Sequence, residues 1–207
     1  DSTGSVNTDA GFSIVSYSGN STAGATIAHG LGATPKMMIV RKRNSAENWL
    51  VYHASTGNTG ATLLNGTNAF FQDDMWNSTS PTSSVFTVHG GAGANASGGT
   101  YIAYCFTDVK GYSKFSSYIG NGNADGAFVY TGFKSAFVMI KKTSGTGNWC
   151  LFDNKRGVNG AMIQLNPDVN NADNTSNYID FLSNGFKCRN TASDKNASGG
   201  SYIYMAF

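Results

Sequence analysis

Apolar residues along the chain alternate over short stretches, and clusters of Gly, Asn, Ser and Thr break the pattern. Residues 12–17, 37–43, 49–53, 85–88 and 100–106 are β-branched or aromatic runs between such clusters, and each predicts a strand. In the last run the alternation puts Tyr101, Ala103 and Cys105 on one face and Ile102, Tyr104 and Phe106 on the other. Weaker runs at 25–28 and 61–64 bring the expectation to about seven strands over the first half. No window keeps a helical period with caps.

The same pattern then starts again. Gly11-Phe12-Ser13 recurs as Gly111-Tyr112-Ser113, and Tyr17 with Gly19-Asn20 recurs as Tyr118 with Gly120-Asn121. Met37-Met38-Ile39-Val40 is matched by Phe137-Val138-Met139-Ile140, and Asn48-Trp49 by Asn148-Trp149. Asn95-Ala96-Ser97-Gly98-Gly99-Thr100-Tyr101-Ile102 returns as Asn196-Ala197-Ser198-Gly199-Gly200-Ser201-Tyr202-Ile203. An offset of 100 or 101 holds throughout. The expected architecture is therefore all-β: two tandem, closely packed β-sandwich repeats, jelly-roll-like, of about 100 residues each. An N-terminal extension covers residues 1–10, the first repeat 11–110 and the second 111–207.

Composition narrows the function classes. Charged residues are only 13% of the chain and the net charge is +2, so no strong field is present to hold nucleic acid. The basic run Arg41-Lys42-Arg43 and its echo Lys141-Lys142 read as solvated strand ends. No stretch reaches the roughly 18 apolar residues of a membrane helix. The first residue is Asp1 rather than Met, which fits a processed product or a fragment. The repeat assigns the cysteines: Cys105, Cys150 and Cys188 stand where the sister copy has Ala206, Leu50 and Val88, so they read as core, with a Cys150–Cys188 disulfide as the alternative.

The repeat also serves as a filter for chemistry. His29, His53 and His89 are paired at this offset with Val129, Asp153 and Arg189, so no duplicated metal or catalytic site is expected. His29-Gly30-Leu31-Gly32 reads as a turn. Asp73 and Asp74 are adjacent and would face opposite ways in a strand, and no Gly-x-Ser-x-Gly elbow occurs. No enzyme activity and no cofactor is expected. Calcium is the one metal to consider, at Asn121-Gly122-Asn123-Ala124-Asp125-Gly126 and at Asp168-Val169-Asn170-Asn171-Ala172-Asp173-Asn174, where polar turns explain the residues equally well. Asn-x-Ser/Thr sequons lie at Asn20, Asn65, Asn77, Asn95, Asn174 and Asn196.

Trp49 and Trp149 echo each other and read as core. Trp76 is paired with Ser176, so it stands out as an unshared aromatic among Asp73, Asp74 and Asn77. A ring in such a loop suits stacking on a sugar face while amides and carboxylates bind hydroxyls, and a ring that closes the end of the sandwich is the equal alternative. The candidate ligand site is therefore Trp76, Asp74, Asp73 and Asn77, with Asp168, Asn171 and Asp173 from the unshared acidic stretch of the second copy.

Several ordered segments are also familiar. They include Gly11-Phe12-Ser13-Ile14-Val15-Ser16-Tyr17, His29-Gly30-Leu31-Gly32, Gly126-Ala127-Phe128-Val129-Tyr130-Thr131-Gly132-Phe133, Asp153-Asn154-Lys155-Arg156-Gly157 and the terminal Ala197 to Phe207. Together they resemble an uncharacterised domain of bacteriophage tail-fibre-like and other virion-associated proteins, especially of marine phages. The resemblance implies a non-catalytic protein exposed on the virion surface, outside the cell. Its expected role is receptor binding or adhesion to a bacterial surface glycan, within a homo-oligomer, a trimer. It implies other virion proteins as further partners and no membrane insertion. A purely structural virion part, such as a capsid decoration or fibre spacer, is the first alternative; a polysaccharide-cleaving enzyme is the second.

Overall fold

The computed structural model describes residues 2–158 and 161–207. Among the described residues the chain is all-β apart from one short helical turn, and it divides into two units. Unit 1 is Asp1–Leu64 with Phe71–Val109; unit 2 is Asn65–Phe70 with Lys110–Phe207. The segment Asn65–Phe70 thus falls in the unit formed mainly by the other repeat. Within unit 2, Phe70 N donates to Thr143 O (3.1 Å) and Gly147 N to Thr67 O (2.9 Å).

Unit 1 contains β1 (Ser2–Asn7), β2 (Phe12–Ser18), β3 (Ala25–Ala28), β4 (Met37–Lys42), β5 (Leu50–His53), β6 (Gly57–Leu63), β7 (Phe71–Gln72), β8 (Val85–Val88) and β9 (Thr100–Phe106). One sheet runs β1-β2-β9-β4-β5-β6-β7, and β3 pairs with β8 in a second. All pairings are antiparallel. The seven strands expected from periodicity are all present. The predicted faces of β9 also hold, with Tyr101, Ala103 and Cys105 fully buried. They meet Val15, Tyr17, Met38, Val40, Leu50 and Tyr52 of the large sheet, and Ile27, Phe86 and Val88 of the small one.

Residues 2–10, expected as an N-terminal extension, belong to this unit. β1 forms a hairpin with β2, in register from Ser2↔Tyr17 to Asn7↔Phe12. Its side chains are all exposed, so the sequence carries no alternation that would mark it as a strand.

Unit 2 contains β10 (Lys114–Ile119), β11 (Phe128–Tyr130), β12 (Phe137–Lys142), β13 (Trp149–Val158), β14 (Ala161–Leu165), β15 (Ile179–Leu182), β16 (Gly185–Cys188), the turn α1 (Ser193–Asn196) and β17 (Ser201–Ala206). The sheets run β10-β17-β12-β13-β14 and β11-β16-β15. Its core joins Val129, Val138, Ile140, Cys150, Phe152, Phe186, Cys188, Tyr202 and Tyr204. All three cysteines are free and buried, as the core reading expects.

Pairing in space corrects the constant offset. Ile27 faces Phe86 and Val129 faces Phe186, so β3 and β11 correspond at an offset of 102. His29 then matches Thr131, and both hold the same turn. Leu31 N donates to His29 Nδ1 (3.2 Å), as Phe133 N does to Thr131 Oγ1 (3.5 Å). The following Gly30 and Gly132 take φ of 74° and 88°, which a side chain would strain. His29 is neutral: its Nε2 donates to Thr82 O (3.2 Å), and burial lowers its pKa.

Candidate functional site

The strongest echo between the copies is a buried lock. Tyr17 stacks on Tyr101 with centroids 5.1 Å apart, and Tyr118 on Tyr202 at 5.0 Å. Tyr17 Oη donates to Ala94 O (2.7 Å) and Tyr118 Oη to Lys195 O (2.6 Å). Asn20 N donates to Asn95 Oδ1, and Asn121 N to Asn196 Oδ1, each at 3.0 Å. The amides of Asn95 and Asn196 then donate to Thr22 O (2.9 Å) and Asn123 O (2.8 Å). A Cβ on Gly19 would lie 2.2 Å from Ala96 O, and one on Gly120 would lie 2.4 Å from Ala197 O, so the close approach requires Gly. The repeated motif from Asn95 to Ile102 is therefore fold machinery. Burial takes the sequons at Asn95 and Asn196 out of reach of glycosylation.

The same lock occupies the first calcium candidate. Asn121 Oδ1 accepts from Asn123 N and from Asn196 Nδ2, both at 3.0 Å. Asp125 pairs with Lys187 at 2.6 Å, and that bond holds its carboxyl below the usual range.

The sequence-predicted ligand residues fall in both units. Trp76 is fully buried, donates from Nε1 to Gly60 O (2.9 Å) and meets the Tyr52 ring edge-on at 5.7 Å. It cannot stack on an external sugar from there, which corrects the ligand expectation and leaves the reading of a ring that closes the core. Its partner is not Ser176: His89 N donates to Met75 O, as Arg189 N does to Tyr178 O, so Trp76 matches the buried Ile179. Asp74 caps its own turn, accepting from Ser78 N and Ser78 Oγ. Asp73 O accepts from Met75 N (2.7 Å), and Asn77 has a positive φ of 51°. All three serve the turn that swings Trp76 inward.

In unit 2, Asp168 Oδ2 accepts from Trp149 N (3.2 Å), and burial raises its pKa. Asp173 lies 3.6 Å from Arg156, and Asn171 is exposed. The two echoed tryptophans also differ. Trp149 is core, whereas Trp49 is half-buried, stacked on Tyr104 at 6.5 Å with Arg41 5.7 Å from its centroid. Lys141, expected to be solvated, is buried. Its Nζ donates to Gly147 O (2.5 Å) and Gly66 O (3.3 Å), and burial lowers its pKa to about 8.

The exposed apolar side chains indicate a different face. Ile119 is 60% exposed, Phe128 48% and Tyr130 65%. Phe128 and Tyr130 flank the buried Val129 on β11 and point outward together. Phe128 lies over Gly185, where a Cβ would come within 3.2 Å of the ring, and Tyr130 lies against Gly132. Beside them Lys187 is opposite Phe128 in the sheet, paired with Asp125, and Arg189 pairs with Asp180. In unit 1 the corresponding positions are Ser18, Thr26 and Ala28, which line one hollow bordered by Ser2. Three large exposed residues of unit 2 thus stand at positions where unit 1 has small ones around that hollow. Sequence reasoning missed them because apolar residues in a short strand read as core.

No curated protein and no solved structure matches the chain. A family model described as a domain of unknown function, DUF7483, matches residues 1–207, and the chain belongs to that family.

Proposed function

We propose that this chain is a non-catalytic module of a bacteriophage virion surface, most simply a tail-fibre receptor-binding domain. It contacts a bacterial surface glycan through Ile119, Phe128 and Tyr130. The observation that carries the reading is the exposure of these residues in one copy only, beside Lys187, Asp125, Asp180 and Arg189. Exposed rings offer apolar faces to sugar C–H groups, and the neighbouring charged groups suit hydroxyls. The fold alone favours no particular ligand.

The test replaces the face with its unit 1 counterpart, Phe128→Thr with Tyr130→Ala. Binding to host surface polysaccharide should weaken at least about tenfold, matching roughly 1.4 kcal/mol or more of lost stacking. Unchanged affinity in a folded variant rejects the site. An apolar patch of this kind also suits contact with another protein. Loss of oligomer or of virion-protein binding, with glycan binding intact, would favour the structural reading.

A further inference from the structure

A polar cluster stands in the core of unit 2 where unit 1 is apolar. β13 and β14 match β5 and β6 through Leu151↔Leu165 and Val51↔Thr62, which sets Gln164 against Ala61 and Cys150 against Leu50. The duplicated tyrosine bonds set Lys195 against Ala94, and Asp194 precedes it where unit 1 has Gly93. The fold does not need these groups, since unit 1 closes the same core without them.

Their geometry is specific. Lys195 is fully buried, and its Nζ lies 2.7 Å from Gln164 Oε1, 3.3 Å from Asp194 Oδ1 and 3.7 Å from Cys150 Sγ. The Tyr178 ring centroid is 3.9 Å from Nζ and shields it from water. A buried amine and carboxamide are thus held together with a partly exposed carboxylate beside them, where proximity replaces a collision and a positioned acid carries the proton.

We propose that Lys195 and Gln164 are joined by an isopeptide bond that the chain forms itself, with Asp194 as the proton carrier. Asp194 takes a proton from the Lys195 ammonium. The freed Nζ lone pair adds to Gln164 Cδ, the Nζ–Cδ bond forms and the Cδ–Nε2 bond breaks. Nε2 departs with the proton from Asp194 and a second from Nζ, so one ammonium ion leaves and Asp194 is again a carboxylate. Asp194 is partly exposed, which gives the ammonium an exit. Cys150 is the rival nucleophile, but burial pushes its thiol up to about 12, and a protonated thiol is a poor one.

Intact mass of the purified, denatured chain is the test. The expected mass is one ammonia below that of the sequence, with a branched peptide joining Gln164 to Lys195 after digestion. Cys105, Cys150 and Cys188 should all still alkylate. Lys195→Arg and Asp194→Asn, each checked for folding by circular dichroism, should keep the full mass. An unreduced mass in the folded wild-type chain after prolonged incubation overturns the proposal. So does an ammonia loss traced to a cyclised Asn121-Gly122, or one accompanied by loss of a thiol, which marks a Cys150 thioester instead.

Discussion

The two units solve one packing problem with different interiors. Both stack a tyrosine pair, tie it to an Asn-Ala-Ser-Gly-Gly turn and close a small sheet over a large one. Unit 1 fills the rest with Leu50, Ala94 and Trp76. Unit 2 places Cys150, Lys195 and Ile179 at the same positions and keeps Lys141 buried as well. The tyrosine–asparagine lock and the apolar positions such as Val40/Ile140 and Phe86/Phe186 are common to both copies, and these three positions are where the interiors part. The buried Lys141 ammonium is tolerated because it donates to Gly147 O and Gly66 O; unpaired, it would cost several kcal/mol.

The largest expected effect comes from the residue that looked most like a ligand contact. Trp76→Ala should destabilise unit 1 by about 3–5 kcal/mol through a cavity and an orphaned Gly60 carbonyl. Chemical denaturation followed by tryptophan fluorescence measures it. A loss under about 1 kcal/mol would mean that Trp76 is not core and would return it to the binding candidates.

The lock itself should respond next, and unequally. Asn196 makes one bond more than Asn95, donating also to Asn190 O at 2.9 Å. Asn196→Ala should cost roughly 3 kcal/mol and Asn95→Ala roughly 2 kcal/mol, read from denaturant midpoints. The reverse order would show that the copies do not use the lock alike.

The smallest effect appears only in alkali. Burial raises the Cys188 thiol from 9.0 to about 11. A raised pKa means that the folded chain holds its proton while the unfolded chain releases it. The stability linked to this thiol is therefore complete below about pH 9 and is lost as pH rises through about 11. Cys188→Val, which copies Val88 of unit 1, should change little at neutral pH. It should recover on the order of 2 kcal/mol at pH 11. Thermal melts across that range would show a parallel decline in both proteins if the thiol does not contribute.

What was legible in the sequence follows from how each feature is encoded. Strands with one buried face announce themselves by alternation, as β2 and β9 do. β1 has no buried face, so nothing marks it. The repeat was readable, but a fixed offset was not a safe ruler. Short insertions shift the match to 102 at His29 and to 103 at Trp76, and the slip made a core tryptophan look unshared. The buried lysines were hidden for another reason: a sequence gives a charge but not where its long stem carries it. Phe128 and Tyr130 were hidden conversely, since alternation shows which residues share a face but not whether that face is covered.

The segment Asn65–Phe70 gives the duplication a direction. It is encoded within the first repeat, yet its carbonyls at Gly66 and Thr67 receive Lys141 Nζ and Gly147 N of the second unit. Excising the second repeat at its sequence boundary would strip the Lys141 ammonium of one acceptor. The half synthesised first carries a segment that folds into the unit of the later half. A cut between the sequence repeats therefore does not fall between the structural units, and a second unit expressed by itself has to bring residues 65–70 with it.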